Sequence, residues 1–432
     1  MQKRLLNIKY KKKFGGILSS RYLVPVLFAL VLIPTVASLV NQAYTTNIGS
    51  HWGSYYYFIG YDTGFGGRKL LGTLMGFLFP GYITYSKLRP IVLGVNVLML
   101  VLMVLWLGRV AEEKQSRLLV PLLALYIMGP FSICQWVLSG LSMQYMETYM
   151  VVLTLAWLFL FVGISRKRYY YLITMMITMI GTLLHHTFCC TFFPIFVALF
   201  CYDSLRGGSL DVRKIIPYGI ICVVNGILLL AIWKFSHMNL GIEELQTRLH
   251  ARASHDACLH TAPYMLDWMY FKSNSANYEQ ASAGFLGRQF MVDFVISIVF
   301  LLPLILMFVW PWFHAAKKMK SIVMGWGYRL MAIVPITMTI PIFFLAFDYT
   351  RWLMAYFFGV LCLLMVAVAT GDRLITESLE RLWDFCGRHP WVVVALVAWS
   401  AQMSFDGFFG LRDAITVRNL LFRHVLGWEI IV

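Results

Sequence analysis

The sequence predicts an all-α protein, a polytopic transmembrane helical bundle of about 11 spans with an interfacial helix in the first outer loop. Three observations predict it. Hydrophobic residues make up 60% of the 432 residues and charged residues 13%, where soluble domains carry about 45–50% and about 25%. Crossing the hydrocarbon core takes about 20 apolar residues, and such runs recur at 22–40, 91–108, 118–138, 149–164, 169–184, 188–202, 215–234, 290–311, 330–347, 352–370 and 391–409. Finally, 23 of the 36 Lys and Arg fall in six short segments, 1–21, 109–117, 165–168, 203–214, 312–329 and 371–390, the bias that holds loops on the cytoplasmic side. This composition excludes an ordinary soluble enzyme, a disordered chain and a disulfide scaffold. The net charge of +16 is explained by those loops, so nucleic acid is not an expected partner.

The elements follow in order. The start, MQKRLLNIKYKKKFGG, is basic and precedes an apolar run with no small-residue cleavage pattern, so it reads as a cytoplasmic segment (1–21) ahead of a retained anchor. The stretch LLGTLMGFLFPGYITYS, 70–86, reaches Pro80 after about 11 apolar residues, too few to cross. Letting it cross would also turn SRKR at 165–168 and AAKKMK at 315–320 outward, against the positive-inside bias. It is therefore expected at the interface. Residues 169–202 form a hairpin of two short spans turning at His185-His186. The outer side then receives two long loops, 41–90 and 235–289, the C-terminus, and eight of the ten histidines: His51, His185, His186, His237, His250, His255, His260 and His424. No internal repeat or soluble segment interrupts residues 1–432, which read as a single membrane domain. The eight cysteines contain no C-x-x-C pair, so neither zinc nor redox chemistry is indicated.

Chemistry is expected on the outer side. In HWGSYYYFIGYDTGFGGRKLLGTL, 51–74, aromatic residues lead through Tyr61 to Asp62, to Gly64, Gly66 and Gly67, and to Arg68 and Lys69. An aromatic belt with a glycine turn accounts for part of this. The glycines also let backbone approach a ligand, Asp62 can take a proton from a hydroxyl, Arg68 can pair with phosphate, and Lys69 supplies a point charge. In FDYTRW, 347–352, Asp348 and Arg351 sit at a short turn where charge is costly unless it lines a cavity; Arg351 is placed to clamp phosphate and Asp348 to orient it. His185 and His186, in LLHHTFCC, are adjacent and so point in different directions. They fit a proton or hydroxyl contact better than a shared metal. In the second loop, IEELQTRLHARASH has helical spacing and carries Arg248 and Arg252. It is a solvated surface helix or an acceptor-binding lid. Glu147, Asp293, Asp406 and Lys272 are further charged groups at or near the outer side.

This layout resembles the polytopic GT-C-type glycosyltransferases that use polyprenyl-phosphate-linked sugars, and it is also similar to O-antigen and capsule polymerases. The likeness rests on an acid in a long first outer loop, here Asp62, an interfacial helix in that loop, here 70–86, and a second long loop after the seventh span, here 235–289. The resemblance implies transfer of a sugar from a polyprenyl-phosphate-linked donor to a glycan or lipid-linked hydroxyl acceptor on the outer face of a bacterial inner or plasma membrane. It gives Asp62 the role of base and Arg68 or Arg351 that of phosphate ligand, with Arg248 and Arg252 as further outer arginines. The reaction so implied needs no nucleotide, the resemblance fixes no cofactor, and an acid-associated divalent metal is compatible with the family. A transporter or flippase of a lipid-linked or polar substrate is the alternative.

Overall fold

Burial along each helix follows the spacing of its apolar residues. The computed structural model describes residues 23–45, 52–113, 115–129, 131–139, 141–143, 145–165, 167–205, 210–258, 266–271, 288–343 and 349–401. His51, His260, Lys272, Asp348, Asp406, His424 and the basic segment 1–21 lie outside the described residues, as does the side chain of Asp293. Among the described residues all regular structure is helical, apart from one isolated parallel bridge between Ile83 and Ala253.

The α-helices of six residues or more are α1 (Leu23–Thr45), α2 (Leu70–Leu78), α3 (Tyr85–Ala111), α4 (Val120–Met128), α5 (Ile133–Leu138), α6 (Glu147–Ile164), α7 (Tyr169–Leu184), α8 (Phe193–Leu205), α9 (Val212–Phe235), α10 (Ile242–Arg252), α11 (Arg288–Lys317), α12 (Ile322–Phe343), α13 (Tyr349–Ala369), α14 (Arg373–Arg388) and α15 (Pro390–Ala401). Among the described residues, six stretches are long and apolar enough to cross a membrane: Tyr85–Ala111, Ser116–Leu138, Glu147–Ile164, Val212–Phe235, Ile322–Ile340 and Arg351–Ala369. Five shorter apolar helices accompany them, so the protein is an all-α membrane bundle.

α13 is apolar on every side and 94% buried over its apolar stretch, as a central helix must be. α9 is its opposite. It buries Tyr218, Ile221, Asn225 and Ile232 and exposes Ile216, Ile220, Val223, Ile227 and Leu230, a two-sided 3.6-residue pattern with one face toward lipid. Polar side chains inside the bundle bond across helices. Asn225 donates to Thr178 at 2.8 Å and accepts from Thr182 at 3.0 Å, so its amide is satisfied in an apolar setting.

One expected span is broken. The run 118–138 folds as a 3-10 turn, Ser116–Leu119, followed by α4 and α5. Gly129 is extended (φ −78°, ψ 152°) ahead of Pro130 in the sequence, and a proline disfavours helical backbone in the residue before it. The Ser132 side chain then caps α5 by accepting from Gln135 N.

The two ends of the bundle differ. At one end the basic loops meet: Lys214 pairs with Asp203, Lys318 with Glu377, and Tyr202 and Tyr328 both donate to Asp372, at 2.8 and 2.6 Å. At the other end the two long loops are laced together. His237 N donates to Phe65 O and Asn239 N to Thr63 O, each at 2.8 Å; Ile83 N donates to Arg252 O, and Ser254 N returns to Ile83 O. α2 has nine residues, about 13 Å of helix, far short of a bilayer core. It buries Leu71, Gly72 and Met75 and exposes Leu74, Phe77 and Leu78.

Candidate functional site

The laced end holds nearly all the residues that the sequence singles out, in two groups. The turn 64–69 links them. Gly64 has φ +129°, and a β-carbon there would lie 2.3 Å from His237 O, so only glycine lets the two loops touch. Gly67 lies against His186, whose Nδ1 would be 2.7 Å from a β-carbon on that glycine. Arg68 follows with φ +69°, the one positive φ at a non-glycine residue among the described residues. That conformation costs an arginine about 1–2 kcal/mol, strain of the kind that gathers at functional positions.

In the first group His185 and Arg351 are buried, while Arg68 and His186 are half-buried. Arg68 lies within electrostatic reach of His185, His186 and Tyr270. His185 is 4% exposed, packs edge-on against Tyr56 at 5.9 Å and stacks on His186 at 5.1 Å. The turn after α7 fixes its tautomer. Thr187 N donates to His185 Nδ1 at 3.2 Å, with the Thr187 hydroxyl at 2.6 Å. Nδ1 is therefore an acceptor and Nε2 carries the proton. Burial first, then Arg68, His186 and Arg351, lowers the His185 pKa; burial and Arg68 lower that of His186 to about 3. Both imidazoles are thus neutral at pH 7. Arg351, at the start of α13, donates through Nη1 to Glu147 Oε1 at 3.0 Å and sits 4.3 Å from the centre of the Tyr145 ring. Both members of that ion pair are buried. Arg68 Nε, His186 Nδ1 and the Tyr270 hydroxyl are buried without a hydrogen-bond partner. Buried polar groups are nearly always bonded, so such a concentration marks a place for polar ligand atoms.

The second group is open to solvent at Asp62 and Arg248 and buried at Lys69. Asp62 forms an ion pair with Arg248 of α10, with both side chains 39–49% exposed. Arg252 also lies in the field of Asp62 and Arg248. Lys69 closes this group from below. It is 2% exposed and donates to His237 O at 3.2 Å, with Met238 Sδ at 3.0 Å. Burial lowers its pKa to about 8, against the opposing pull of Asp62. Tyr61 stacks on Phe65 at 6.4 Å on the same side.

The structure therefore joins Arg68 with His185, His186 and Arg351, and separately Asp62 with Lys69, Arg248 and Arg252. The two groups adjoin at Arg68-Lys69, which are consecutive in the chain. The helical reading of IEELQTRLHARASH is met by α10, which is a docked surface helix with Leu245 and Leu249 buried. Glu147 gains its meaning from a partner 204 positions away, and Tyr56, Tyr145 and Tyr270 carry no sequence signal beyond an aromatic-rich loop. Among the described residues no three or more His, Cys, Asp and Glu are grouped to hold a metal ion, and all eight cysteines are free thiols. Comparison with protein-family models, curated proteins and solved structures finds no match to this chain.

Proposed function

We propose that this protein is a membrane glycosyltransferase that moves a sugar from a polyprenyl-phosphate-linked donor to a hydroxyl acceptor on the outer face, in cell-surface polysaccharide or glycoconjugate synthesis. The observation that carries the reading is the Arg68–His185–His186 group, in which Arg68 Nε and His186 Nδ1 are buried without a partner. An uncompensated guanidinium beside neutral imidazole N–H groups suits a phosphate leaving group, because preorganised donors in a dry site stabilise developing negative charge most strongly. Arg351, oriented by Glu147, adds a second cation beside His185. Asp62, on the wet side with Arg248 and Arg252, is assigned to orient or deprotonate the acceptor.

The orientation follows from charge. The end that gathers Lys214, Lys318 and Arg373 is taken as cytoplasmic, which gives eleven spans, an inner N-terminus and an outer C-terminus. α2 then rests at the outer interface with Leu74, Phe77 and Leu78 toward the acyl chains. The turn that carries Arg68 leads directly into this helix, which places it at the same interface.

A second reading, transport of a lipid-linked or polar substrate, draws on the broken 116–138 stretch, since interrupted helices line transporter sites. A small crevice lies at that break, between Gly129, Phe131, Phe357 and Ser400, but its lining is apolar and offers little to a polar solute.

The test uses purified protein in nanodiscs with a polyprenyl-phosphate-linked sugar and a hydroxyl acceptor. Glycosylated product that disappears in Arg68→Ala supports the transferase. Donor movement across vesicles, without product and unaffected by Arg68→Ala, would replace it with the transport reading.

A further inference from the structure

A second basic group at the same end has no role in the site above. Arg89 lies one turn into α3, four residues after Tyr85. Its guanidinium carbon sits 4.5 Å from the centre of the Tyr44 ring, at the end of α1, and 5.2 Å from that of Tyr85. Aromatic rings hold a guanidinium in place by cation–π attraction, yet they leave its N–H donors in need of acceptors. Arg89 Nε is buried with no partner, and the hydroxyl of Tyr85, a residue 5% exposed, lies beside the Arg89 guanidinium. Arg89 makes no ion pair among the described residues. The carboxylate within electrostatic reach of Tyr85, Asp256, is engaged by the Ser254 hydroxyl. Beyond Tyr85 stand Tyr57 and Tyr149, whose hydroxyls bond to each other at 3.3 Å. The 3-10 turn Trp52–Tyr57 divides this place from the Arg68 group, with Tyr56 turned to His185 and Tyr57 to Tyr149.

We infer that Arg89 and the Tyr85 hydroxyl form a second phosphate-binding site, filled by the head group of a lipid. The donors are those that recognise phosphate, a fixed guanidinium and a phenol. The lipid origin follows from the surface below them. Ile33, Val36, Val40 and Tyr44 are all exposed at spacings of three and four residues on α1, a continuous apolar stripe that ends at Arg89. A hydrocarbon tail lying on that stripe brings its phosphate to the guanidinium. The inference does not depend on the transfer reaction.

The experiment titrates the purified full-length protein calorimetrically with decyl phosphate and with inorganic phosphate. Wild-type protein is expected to bind decyl phosphate at this site, with inorganic phosphate a poor competitor. Arg89→Ala removes that binding event, Arg89→Lys weakens it about 10-fold because the bidentate fork is lost, and Tyr85→Phe weakens it by about 3–10-fold, the worth of one hydrogen bond. Arg68→Ala leaves the event in place. Unchanged titrations for Arg89→Ala and Tyr85→Phe would overturn the site, and equal competition by inorganic phosphate would overturn its lipid origin. Should Arg89→Ala fail to fold, Arg89→Lys and Tyr85→Phe carry the test alone.

Discussion

The Arg68–His185–His186–Arg351 group and the Asp62–Lys69–Arg248–Arg252 group lie side by side and share residue types, yet they differ in solvent. In the first, the Glu147–Arg351 pair is 5–8% exposed and the histidines are held neutral by burial. In the second, the Asp62–Arg248 pair is 39–49% exposed. A charge pair kept from water is costly to break, whereas an exposed one is worth about 0–1 kcal/mol. The lesson is that burial, rather than the count of charges, separates groups that hold the site's geometry from groups that meet the solvent and an incoming acceptor.

The largest effect is expected from the buried pair. Glu147→Ala should destabilise the protein by about 3–5 kcal/mol, because the Arg351 charge is left buried without its carboxylate. Removing both charges, as Glu147→Gln with Arg351→Gln, should restore much of that loss in thermal unfolding. A single variant as stable as wild type would erase the contrast with Asp62.

Arg68→Gly separates function from folding. Glycine accepts φ +69° without strain, so stability should hold or rise by about 1 kcal/mol. Turnover of a phosphate-linked donor should fall by about 10²–10³-fold, the usual cost of losing a group that stabilises developing charge. Falling stability together with preserved turnover would move the reactive centre away from this turn.

Asp62→Asn should leave thermal stability within about 1 kcal/mol while lowering turnover by about 10²-fold if the acid serves the acceptor. Equal turnover in Asp62→Asn and wild type would reduce the exposed group to a latch between the two loops.

The smallest effect concerns Lys69. Its folded pKa of about 8 lies below the ordinary 10.5. Between those values the unfolded chain binds a proton that the folded chain does not, so the contribution of Lys69 to stability rises with pH through that window and its cost is fully present below about 8. Lys69→Met should therefore melt about 2–4 °C higher than wild type at pH 7, with the gap closing toward pH 10. A gap independent of pH would show that Lys69 keeps its charge.

Much of the architecture was legible along the chain. Apolar runs marked the helices, and the basic loops that the sequence groups together do meet at one end, through Lys214, Lys318 and Asp372. The break at Gly129 was not read from the run 118–138, although Pro130 was its signal. At the site, Asp62 and Lys69 both stood out, but residues seven positions apart in a glycine-rich turn carry no local mark that the first is exposed and the second buried. Arg89 escaped notice because half of its setting, Tyr44, lies on another helix.

The sequence by itself determined that this chain enters a membrane and where its helices run, because hydrophobic length and loop charge act residue by residue. Only the tertiary structure decided which charges lose their water. That depends on partners brought from distant segments, Glu147 to Arg351, His186 to Gly67 and Arg248 to Asp62, and desolvation is a property of the assembled surroundings that no single stretch of chain contains.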